Sequence, residues 1–266
     1  MTDLVKYATL SVMAELSVVV PAYNAGRYLK SAVDSLLAQG LAGLEIVVVD
    51  DGSSDGSMSA LESLPVRVVR QKNKGEAAAR NAGVRASTAP FVTFLDADDI
   101  MVPGALSSRL DYLSAHPGEC AVAGLPSRLI DERGHAAAEV FARMAAKHSF
   151  PFRLNDAFYR AGNFFPVSCS LYLYRREVFD RTGFYDEALP AAPDCDFHFR
   201  LLKAVSISVL PVPVFDRRIH GDNLSLAGAG TRALSFRPEI LETVRAINRR
   251  HGFDPKEIVP WELDYL

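Results

Sequence analysis

Asp96 and Asp98 have the residue type and spacing to do chemistry, because they stand one residue apart just after the apolar run 91–95. Two carboxylates in this arrangement can share one divalent cation or bind it partly through water. Mg²⁺ or Mn²⁺ bound to a phosphate typically takes only one or two carboxylates, and phosphate oxygens complete its coordination. The alternative is a turn followed by a helix cap, where Asp is also common. The apolar residues on both sides favour the metal site.

Polar groups also follow the earlier apolar runs of the chain. Asp51 precedes Gly52, which allows a sharp turn, and its carboxylate could accept hydrogen bonds from ribose hydroxyls or a base N–H. An acidic loop in which Ser54 or Asp55 caps the next helix is the alternative, and both can hold together. Tyr23 offers a flat face for stacking on a base, although a single Tyr in a loop more often only packs.

A third polar group opens a predicted helix. Asn73 and Gly75 precede a segment that carries Arg80. Glycine lets a ligand approach the backbone closely, and the positive end of the helix dipole favours phosphate. Arg80 could pair with a diphosphate or with Asp96, and a salt bridge that only holds the loop is an equally good interpretation.

Hydrophobic periodicity predicts the elements that position these groups. β-branched apolar runs predict buried strands, and helical spacing predicts the segments between them. The strands are predicted at 16–20, where Pro21 stops the run, and at 44–49, 66–69 and 91–95, and the helices at 28–37 and 76–86. Four strands joined by helix-sized connections imply a mostly parallel sheet with helices on both faces. Ligands of such sheets bind at the carboxyl ends of the strands, so the polar groups should converge there.

The second half of the sequence is less regular. Strands are predicted at 168–174 and 205–210, and helices at 196–204 and 231–250. The segment 131–165 has weak periodicity and many aromatic residues, which favours substrate-facing loops and short helices. Four of its aromatics could stack on a sugar but are more often core residues, namely Phe158, Tyr159, Phe164 and Phe165.

Composition bounds the function classes. The chain has 266 residues, 49% of them hydrophobic, and a net charge of −3, which suits a buried core and gives no attraction to nucleic acid. Its three cysteines lack Cys-x-x-Cys spacing, so we expect a reducing, cytoplasmic setting without disulfides or zinc. No run approaches the roughly 18 apolar residues of a membrane span, and the start is a poor signal peptide. The pairs Arg217-Arg218 and Arg249-Arg250 are interpreted as solvated surface.

The ordered set of motifs resembles glycosyltransferase family 2, inverting enzymes of the GT-A fold, over about 16–225. Each motif alone is weak, but the ordered set is specific. The matching residues are Val19-Val20-Pro21-Ala22-Tyr23-Asn24, Val49-Asp50-Asp51-Gly52-Ser53, Asn73-Lys74-Gly75, Ala79-Arg80-Asn81-Ala82-Gly83, Phe94-Leu95-Asp96-Ala97-Asp98-Asp99, Gly183-Phe184-Tyr185-Asp186-Glu187, Asp194-Cys195-Asp196 and Arg218-Ile219-His220. The resemblance implies an α/β fold with a Rossmann-like, mostly parallel central sheet flanked by helices and an acceptor-side C-terminal region.

The resemblance also implies roles at the matching positions. Asp194 would be the catalytic base, while Asp98, with Asp96 and His220, would hold the metal. The nucleotide-sugar would be bound by Pro21, Tyr23, Asp51, Asn73, Gly75, Arg80 and Asp96. Many relatives carry Glu-Asp where this chain has Pro193-Asp194, so a supporting acid is missing. Asp196 is a rival for the base and would point about 200° away from Asp194 on a helix.

The implied reaction moves a sugar from a nucleoside diphosphate sugar to a hydroxyl of a saccharide or lipid-linked acceptor, with Mn²⁺ or Mg²⁺ as cofactor. UDP is the expected nucleotide, although the base contacts do not separate it from GDP or dTDP. The expected location is cytoplasmic, and a peripheral place at the inner face of the membrane stays open. We expect one domain, 1–266, with a nucleotide-sugar half (about 14–125), an acceptor half (about 126–230) and a C-terminal helix and tail (231–266).

Two other function classes compete with this one. A sugar-1-phosphate nucleotidyltransferase would want a Gly-rich loop with Arg and Lys directly after the first strand, where this chain has Pro21-Ala22-Tyr23-Asn24. An inactive nucleotide-binding subunit is the non-enzymatic alternative. The joint presence of Asp51, Asp98, Asp194 and His220 argues against it.

Overall fold

The computed structural model describes residues 13–146, 149–155, 157, 168–223, 226–227, 235–236 and 238–252. The strands in these ranges are β1 (Leu16–Ala22), β2 (Leu44–Asp50), β3 (Arg67–Arg70), β4 (Phe91–Phe94), β5 (Ile100–Met101), β6 (Ala121–Leu125), β7 (Arg128–Ile130), β8 (Ala136–Glu139), β9 (Phe152–Leu154), β10 (Tyr172–Arg175), β11 (Ile207–Pro213), β12 (Phe215–Arg218), β13 (Leu226–Ala227) and β14 (Ser235–Phe236). The helices are α1 (Tyr28–Leu37), α2 (Glu76–Ala86), α3 (Ala105–Ala115), α4 (Phe141–Ala145), α5 (Val178–Thr182), α6 (Pro193–Ala204) and α7 (Pro238–His251), with 3-10 turns at Ser57–Leu61 and Cys169–Leu171.

A central eight-stranded sheet has the order β3-β2-β1-β4-β10-β6-β11-β9. The first four of these strands are parallel, as the sequence predicts, because each pair is joined by a crossover connection. β10 runs antiparallel to both of its neighbours, and β9 closes the far edge antiparallel to β11. The sheet is therefore mostly parallel and the fold is of the α/β class, which confirms the predicted fold class.

The middle of β1 is buried on both faces, which explains its unbroken run of Val18, Val19 and Val20. Helix α2 packs unusually close to this strand at Gly83. A Cβ atom at that position would lie 2.2 Å from Cγ1 of Val19, so only glycine fits there. This close approach fixes the start of α2 near the carboxyl ends of β1 and β2.

Strand β1 continues through Pro21, so the prediction that Pro21 stops the strand is wrong. Pro21 stays in register with Val49 of β2, while β4 pairs with β1 only as far as Val19. On the β4 side the strand is thus unpaired from Val20 onward, and the missing N–H of proline costs no sheet hydrogen bond.

The strand predicted at 168–174 begins only at Tyr172, because the 3-10 turn Cys169–Leu171 replaces its first part. The guanidinium of Arg109, which is fully buried, donates hydrogen bonds to the carbonyls of Ser170 and Leu171. These carbonyls are therefore satisfied by a side chain rather than by a neighbouring strand.

The two helices predicted in the second half have shifted starts. Helix α6 begins at Pro193 rather than at residue 196, as expected for proline in a first turn. Helix α7 begins at Pro238, and the start predicted at residue 231 is wrong because Ser235–Phe236 forms a strand with Leu226–Ala227. The strand predicted at 205–210 is observed at Ile207–Pro213.

The segment 131–165 was expected to contain only loops and short helices. It contains α4 but also strands β8 and β9, so that expectation is wrong in part. The four aromatics singled out in this segment lie outside the described residues, namely Phe158, Tyr159, Phe164 and Phe165.

A second sheet of order β5-β12-β7-β8 begins just after Asp96 and Asp98, and its strand β12 brings the late part of the chain back beside them. Arg218, at the end of β12, is buried and donates hydrogen bonds to the carbonyls of Asp98, Asp131 and Glu132. The interpretation of this arginine as solvated surface is therefore wrong, because three backbone acceptors hold its guanidinium inside. Across the described parts of the chain, none of the helices has both the length and the apolar character of a membrane span.

Candidate active site

The loops that follow β1 and β2 are tied to one another by short polar contacts. The Asn24 side chain accepts a hydrogen bond from the Ser54 amide at 2.8 Å, and the Asn24 amide donates to Ser53 Oγ at 3.0 Å. Asp55 accepts from the amides of Gly26 and Ser57, so it caps the following 3-10 turn, as one of the interpretations of this loop requires. Beside these contacts Tyr23 is 54% exposed at the sheet edge, where its ring is free to stack on a base.

Asp51 organises the loop in front of helix α2. Its carboxylate, which is buried, accepts hydrogen bonds from the amides of Lys74 and Gly75 at 2.9 Å each and from Gln71 at 2.8 Å. Gly75 has φ +88°, a conformation that side chains rarely adopt. Asp51 therefore shapes the predicted nucleotide loop through its backbone.

Arg80 joins two carboxylates of the site through a single nitrogen. Nη2 of Arg80 donates to Oδ1 of Asp96 at 3.0 Å and forms an ion pair with Glu76. Arg80 is only 1% exposed, and its Nε and Nη1 have no hydrogen-bond partner among the described residues. The sequence leaves open whether Arg80 pairs with Asp96 or with a diphosphate, and the structure shows the pair with Asp96.

Asp98 meets the late loop that follows β12. Oδ2 of Asp98 lies 2.9 Å from Nε2 of His220 and 3.3 Å from Nδ2 of Asn223. Asn223 also accepts a hydrogen bond from the amide of His220, which holds the loop closed on itself. The Asp98 side chain remains 28% exposed, so it can still contact a ligand.

The residues around Asp98 fit a divalent cation that a phosphate helps to bind. The carboxylate of Asp98, which is partly exposed, contacts the mostly buried imidazole of His220, and a diphosphate would supply further oxygens. In the described part of the chain, no three His, Cys, Asp or Glu side chains converge as a complete metal site. Asp96, which is bonded to Arg80, stands next to this point as a supporting group.

Asp194 lies in the first turn of helix α6, and the residue before that helix has a strained backbone. Ala192 has φ 50°, a value that is uncommon for a residue other than glycine and that tends to occur at functional sites. Burial and the nearby carboxylate of Asp96 raise the pKa of Asp194 above its ordinary value, while the guanidinium of Arg80 opposes the shift. Asp194 thus stands close to the Arg80 cluster and is a stronger base than a solvated aspartate.

The ring of His198 supports the start of helix α6 from inside the protein. Nδ1 of His198 lies 2.7 Å from the carbonyl oxygen of Asp194, and Nε2 lies 2.7 Å from the hydroxyl of Tyr174. Burial lowers the pKa of His198 to about 3, so the ring is neutral at pH 7. A neutral ring that donates to the carbonyl from Nδ1 accepts the Tyr174 hydroxyl at Nε2.

Asp196, the rival candidate for the base, faces another partner. Its buried carboxylate accepts hydrogen bonds from Nε of Arg200 and from Nε2 of His251, each at 2.9 Å. Burial alone would raise the pKa of Asp196, but the bonds from His251 and Arg200 lower it. Asp196 therefore anchors α7 on α6, and Asp194 is the aspartate of this helix that stands with the Arg80 cluster.

The sequence did not single out Glu76, the first residue of α2. Its carboxyl group pairs with Arg80, and Asp96 and Asp194 are close enough to affect its ionisation. The i,i+4 spacing of Glu76 and Arg80 on a helix is a visible signal for the ion pair. The approach of Asp194, which comes from α6, has no counterpart in the sequence pattern.

The fold and the site together define an α/β protein of the GT-A type. Crystal structures of S. aureus TarS 1-349 share this fold at 22% identity and a TM-score of 0.63, over 88% of this chain. The aligned part makes up 64% of TarS 1-349 in one structure and 66% in another, a complex with UDP-GlcNAc. The chain belongs to glycosyl transferase family 2, whose model matches residues 17–183.

Curated relatives agree with this family. The chain is 27% identical over 211 residues to a glycosyltransferase of Rickettsia felis (strain ATCC VR-1525 / URRWXCal2), an alignment that covers 78% of this chain. It is 29% identical over 190 residues to the glycosyltransferase EpsJ of Bacillus subtilis (strain 168), covering 69% of this chain. With chondroitin synthase of Escherichia coli it shares 26% over 228 residues and 84% of this chain. The aligned part is 34%, 54% and 31% of these relatives, respectively, so the chain spans about a third to a half of their lengths.

Proposed function

We propose that this chain transfers a sugar from a nucleoside diphosphate sugar to an acceptor hydroxyl in one displacement, with inversion at the anomeric carbon. The observation that carries the proposal is the position of Asp194, which comes from α6 yet stands beside the Arg80–Asp96 pair at the sheet edge. Membership of glycosyl transferase family 2 supports glycosyl transfer over the competing nucleotidyltransferase chemistry.

The nucleotide of the donor would lie along the ends of β1 and β2. The exposed ring of Tyr23 would stack on the base, and Pro21 and Asp51 would line its edge. Asn73 and Gly75 would approach the ribose and diphosphate from the loop that Asp51 holds. A UDP-sugar is the proposed donor, because a protein of the same fold has been crystallised with UDP-GlcNAc.

Asp194 would accept the proton of the acceptor hydroxyl as that oxygen attacks the anomeric carbon. The C–O bond to the nucleoside diphosphate breaks from the opposite face, so the configuration inverts. The raised pKa of Asp194 suits this role, because a general base works best when its pKa approaches the working pH. Such help is typically worth about 10²–10⁴-fold in rate.

Asp98 and His220, with Asp96 in support, would hold Mn²⁺ or Mg²⁺ on the diphosphate. A bound metal supplies Lewis-acid stabilisation of the leaving group. Arg80 keeps Asp96 oriented, and Asn223 keeps the loop of His220 in contact with Asp98. The acceptor is proposed to be a saccharide or a lipid-linked saccharide, used in the cytoplasm or at the inner face of the membrane.

Product analysis tests this proposal. The protein is incubated with Mn²⁺ and a panel of UDP-, GDP- and dTDP-sugars, with and without saccharide acceptors, and the released nucleotide is identified by chromatography. Release of a nucleoside diphosphate together with an inverted glycoside is expected. Release of inorganic diphosphate from a nucleoside triphosphate and a sugar phosphate, or retention of the anomeric configuration, would overturn it.

A further inference from the structure

Glu76 is a carboxylate of the site that neither the family motifs nor the proposed mechanism uses. It is the first residue of helix α2, and its side chain is 35% exposed although its partner Arg80 is almost completely buried. One oxygen of Glu76 is in contact with Nη2 of Arg80, the same nitrogen that donates to Asp96. The ion pair ties the Glu76 carboxylate to the Arg80–Asp96 pair, and about a third of the side chain stays accessible to a ligand.

The neighbours of Glu76 define its place relative to a bound donor. Asp96 is two residues from Asp98, which marks the diphosphate side of the site. Asp194, the proposed base, would mark the side of the attacking hydroxyl. Both Asp96 and Asp194 act electrostatically on the Glu76 carboxyl group. In an inverting displacement the transferred sugar lies between these two sides, so Glu76 flanks the sugar itself.

The charges around Glu76 restrict which sugar can bind there. Glu76 and Asp96 both pair with the guanidinium of Arg80, and the same guanidinium acts electrostatically on the carboxyl group of Asp194. Burial raises the pKa of Glu76 to about 7, and the two aspartates add to the shift while Arg80 opposes it. A further acidic group brought into this cluster by a ligand would meet repulsion, whereas a hydroxyl or amide N–H would find an acceptor.

We propose that Glu76 binds hydroxyl or amide groups of the transferred sugar and that the acidic cluster selects neutral sugars against uronic acids. The inference rests on the proposed function, because it assigns the sugar subsite of that same site. Glu76 acts here as a specificity-determining residue that contacts the donor. Asp194 remains the base.

Glu76→Gln tests the proposal in the full chain, with Mn²⁺ present. Titration calorimetry measures the Kd of UDP, UDP-glucose, UDP-GlcNAc and UDP-glucuronate, and initial rates give kcat/KM for each donor that turns over. We expect the Kd of UDP to stay within about twofold, because the proposal assigns the Glu76 carboxylate to the sugar and not to the nucleotide. Binding of the neutral UDP-sugars should weaken about tenfold or more, as expected for a lost hydrogen bond to a charged group. The preference for neutral donors over UDP-glucuronate should fall by at least about tenfold.

Two further variants complete the experiment. Glu76→Asp keeps the charge but shortens the reach, so it should weaken binding of neutral donors while still rejecting UDP-glucuronate. Glu62→Gln removes a glutamate that is exposed at the end of the first 3-10 turn and serves as the matched control. Circular dichroism melting verifies that each variant is folded, and Glu76→Ala replaces the glutamine variant if that one is not.

Several outcomes would overturn the inference. If UDP binding weakens as much as UDP-sugar binding, Glu76 only supports Arg80. If donor preference is unchanged, the carboxylate does not contact the sugar. Wild-type protein that binds UDP-sugars but releases no nucleoside diphosphate from any of them would contradict the proposed function and leave the binding comparison intact.

Discussion

Nε2 of His220 lies 2.9 Å from Oδ2 of Asp98, although the two residues are 122 positions apart in the chain. Strand β12 makes this contact possible, because it pairs with β5, which begins two residues after Asp98, and then leads into the loop that carries His220. Asn223 donates to the same carboxylate oxygen at 3.3 Å. The late loop and the Asp98 side chain therefore form one unit, and a change at either should affect the same property.

Under the proposed function, that property is metal-dependent nucleotide binding. Asp98→Ala should abolish the gain in UDP affinity that Mn²⁺ gives, and His220→Ala should reduce it about tenfold, the lower end of the losses seen when support of a metal ligand is removed. Titration calorimetry of UDP with and without Mn²⁺ measures both effects. His135→Ala is the control, since His135 is exposed and 74% of its side chain is accessible. An Asp98→Ala protein that binds UDP equally well with and without Mn²⁺, at wild-type affinity, would contradict the assignment.

Asp194→Asn should lower kcat by about 10²–10⁴-fold, because an amide cannot accept the proton of the attacking hydroxyl. UDP and donor binding should change little, since the proposed partner of Asp194 is the acceptor hydroxyl and not the donor. Steady-state rates and calorimetry on the same preparation separate the two effects. Near-normal turnover in this variant would remove Asp194 from the mechanism.

Asp196→Asn should destabilise the fold rather than the chemistry. Loss of a buried ionic partner of Arg200 and His251 should reduce the free energy of unfolding by about 2–4 kcal/mol at pH 7. The folded-state pKa of Asp196 is lowered, so this stability is present above the ordinary pKa and is lost as pH falls through the lowered value. Urea unfolding at pH 7 and near pH 3 should thus show a smaller difference at the lower pH, with the exposed Asp111→Asn as control. If Asp196→Asn instead lost turnover at unchanged stability, Asp196 would be the better candidate for the base.

Glu76 should make the fold less stable as pH rises from about 4.5 to 7. Its folded-state pKa is about 7, above the ordinary glutamate value of about 4.5, so ionisation is easier in the unfolded chain and costs stability over that interval. The difference in the free energy of unfolding between Glu76→Gln and wild type should therefore favour the variant by about 1 kcal/mol more at pH 8 than at pH 4. This amount is smaller than the full pKa shift implies, because the side chain is 35% exposed to solvent. The melting temperature of Glu76→Gln relative to wild type should accordingly be about 2–4 °C higher at pH 8 than at pH 4. An equal difference at both pH values would show that the carboxyl group titrates normally.

Gly83→Ala should destabilise the protein by about 1–3 kcal/mol, because the new methyl group would lie 2.2 Å from Cγ1 of Val19. The better helix propensity of alanine, about 1 kcal/mol, offsets only part of this overpacking. Gly118→Ala is the matched control, since no atom lies within 4 Å of its added Cβ. Urea unfolding measures both variants, and Val19→Ala in the Gly83→Ala background should recover part of the loss. A neutral Gly83→Ala would mean that α2 can move away from β1.

Local pattern sufficed for the nucleotide half of the fold. Four elements lie within two residues of their predicted bounds, namely β1, β2, β4 and α2. Their bounds could be predicted because a strand buried on both faces and a helix each produce a characteristic pattern of residue types at adjacent positions. The rule that ligands meet the carboxyl ends of parallel strands then placed Asp51, Asp96 and Asp98 at one edge. Elements in the second half were predicted less well, since their bounds depend on distant partners, as Arg109 shows by capping the carbonyls of Ser170 and Leu171.

By itself, the sequence determined the order of the strand-end motifs, and with it the α/β class and the family. Only the tertiary structure decided how charges pair across the site. The sequence leaves Asp196 as a rival of Asp194 for the role of base, but of these two aspartates only Asp196 accepts hydrogen bonds from His251 and Arg200. Arg218 is charged and next to another arginine, yet it is buried. Three backbone carbonyls that are distant from it in the sequence accept hydrogen bonds from its guanidinium. The physical reason is that ionic contacts depend on distances in space, which residue spacing along the chain does not fix between separate elements.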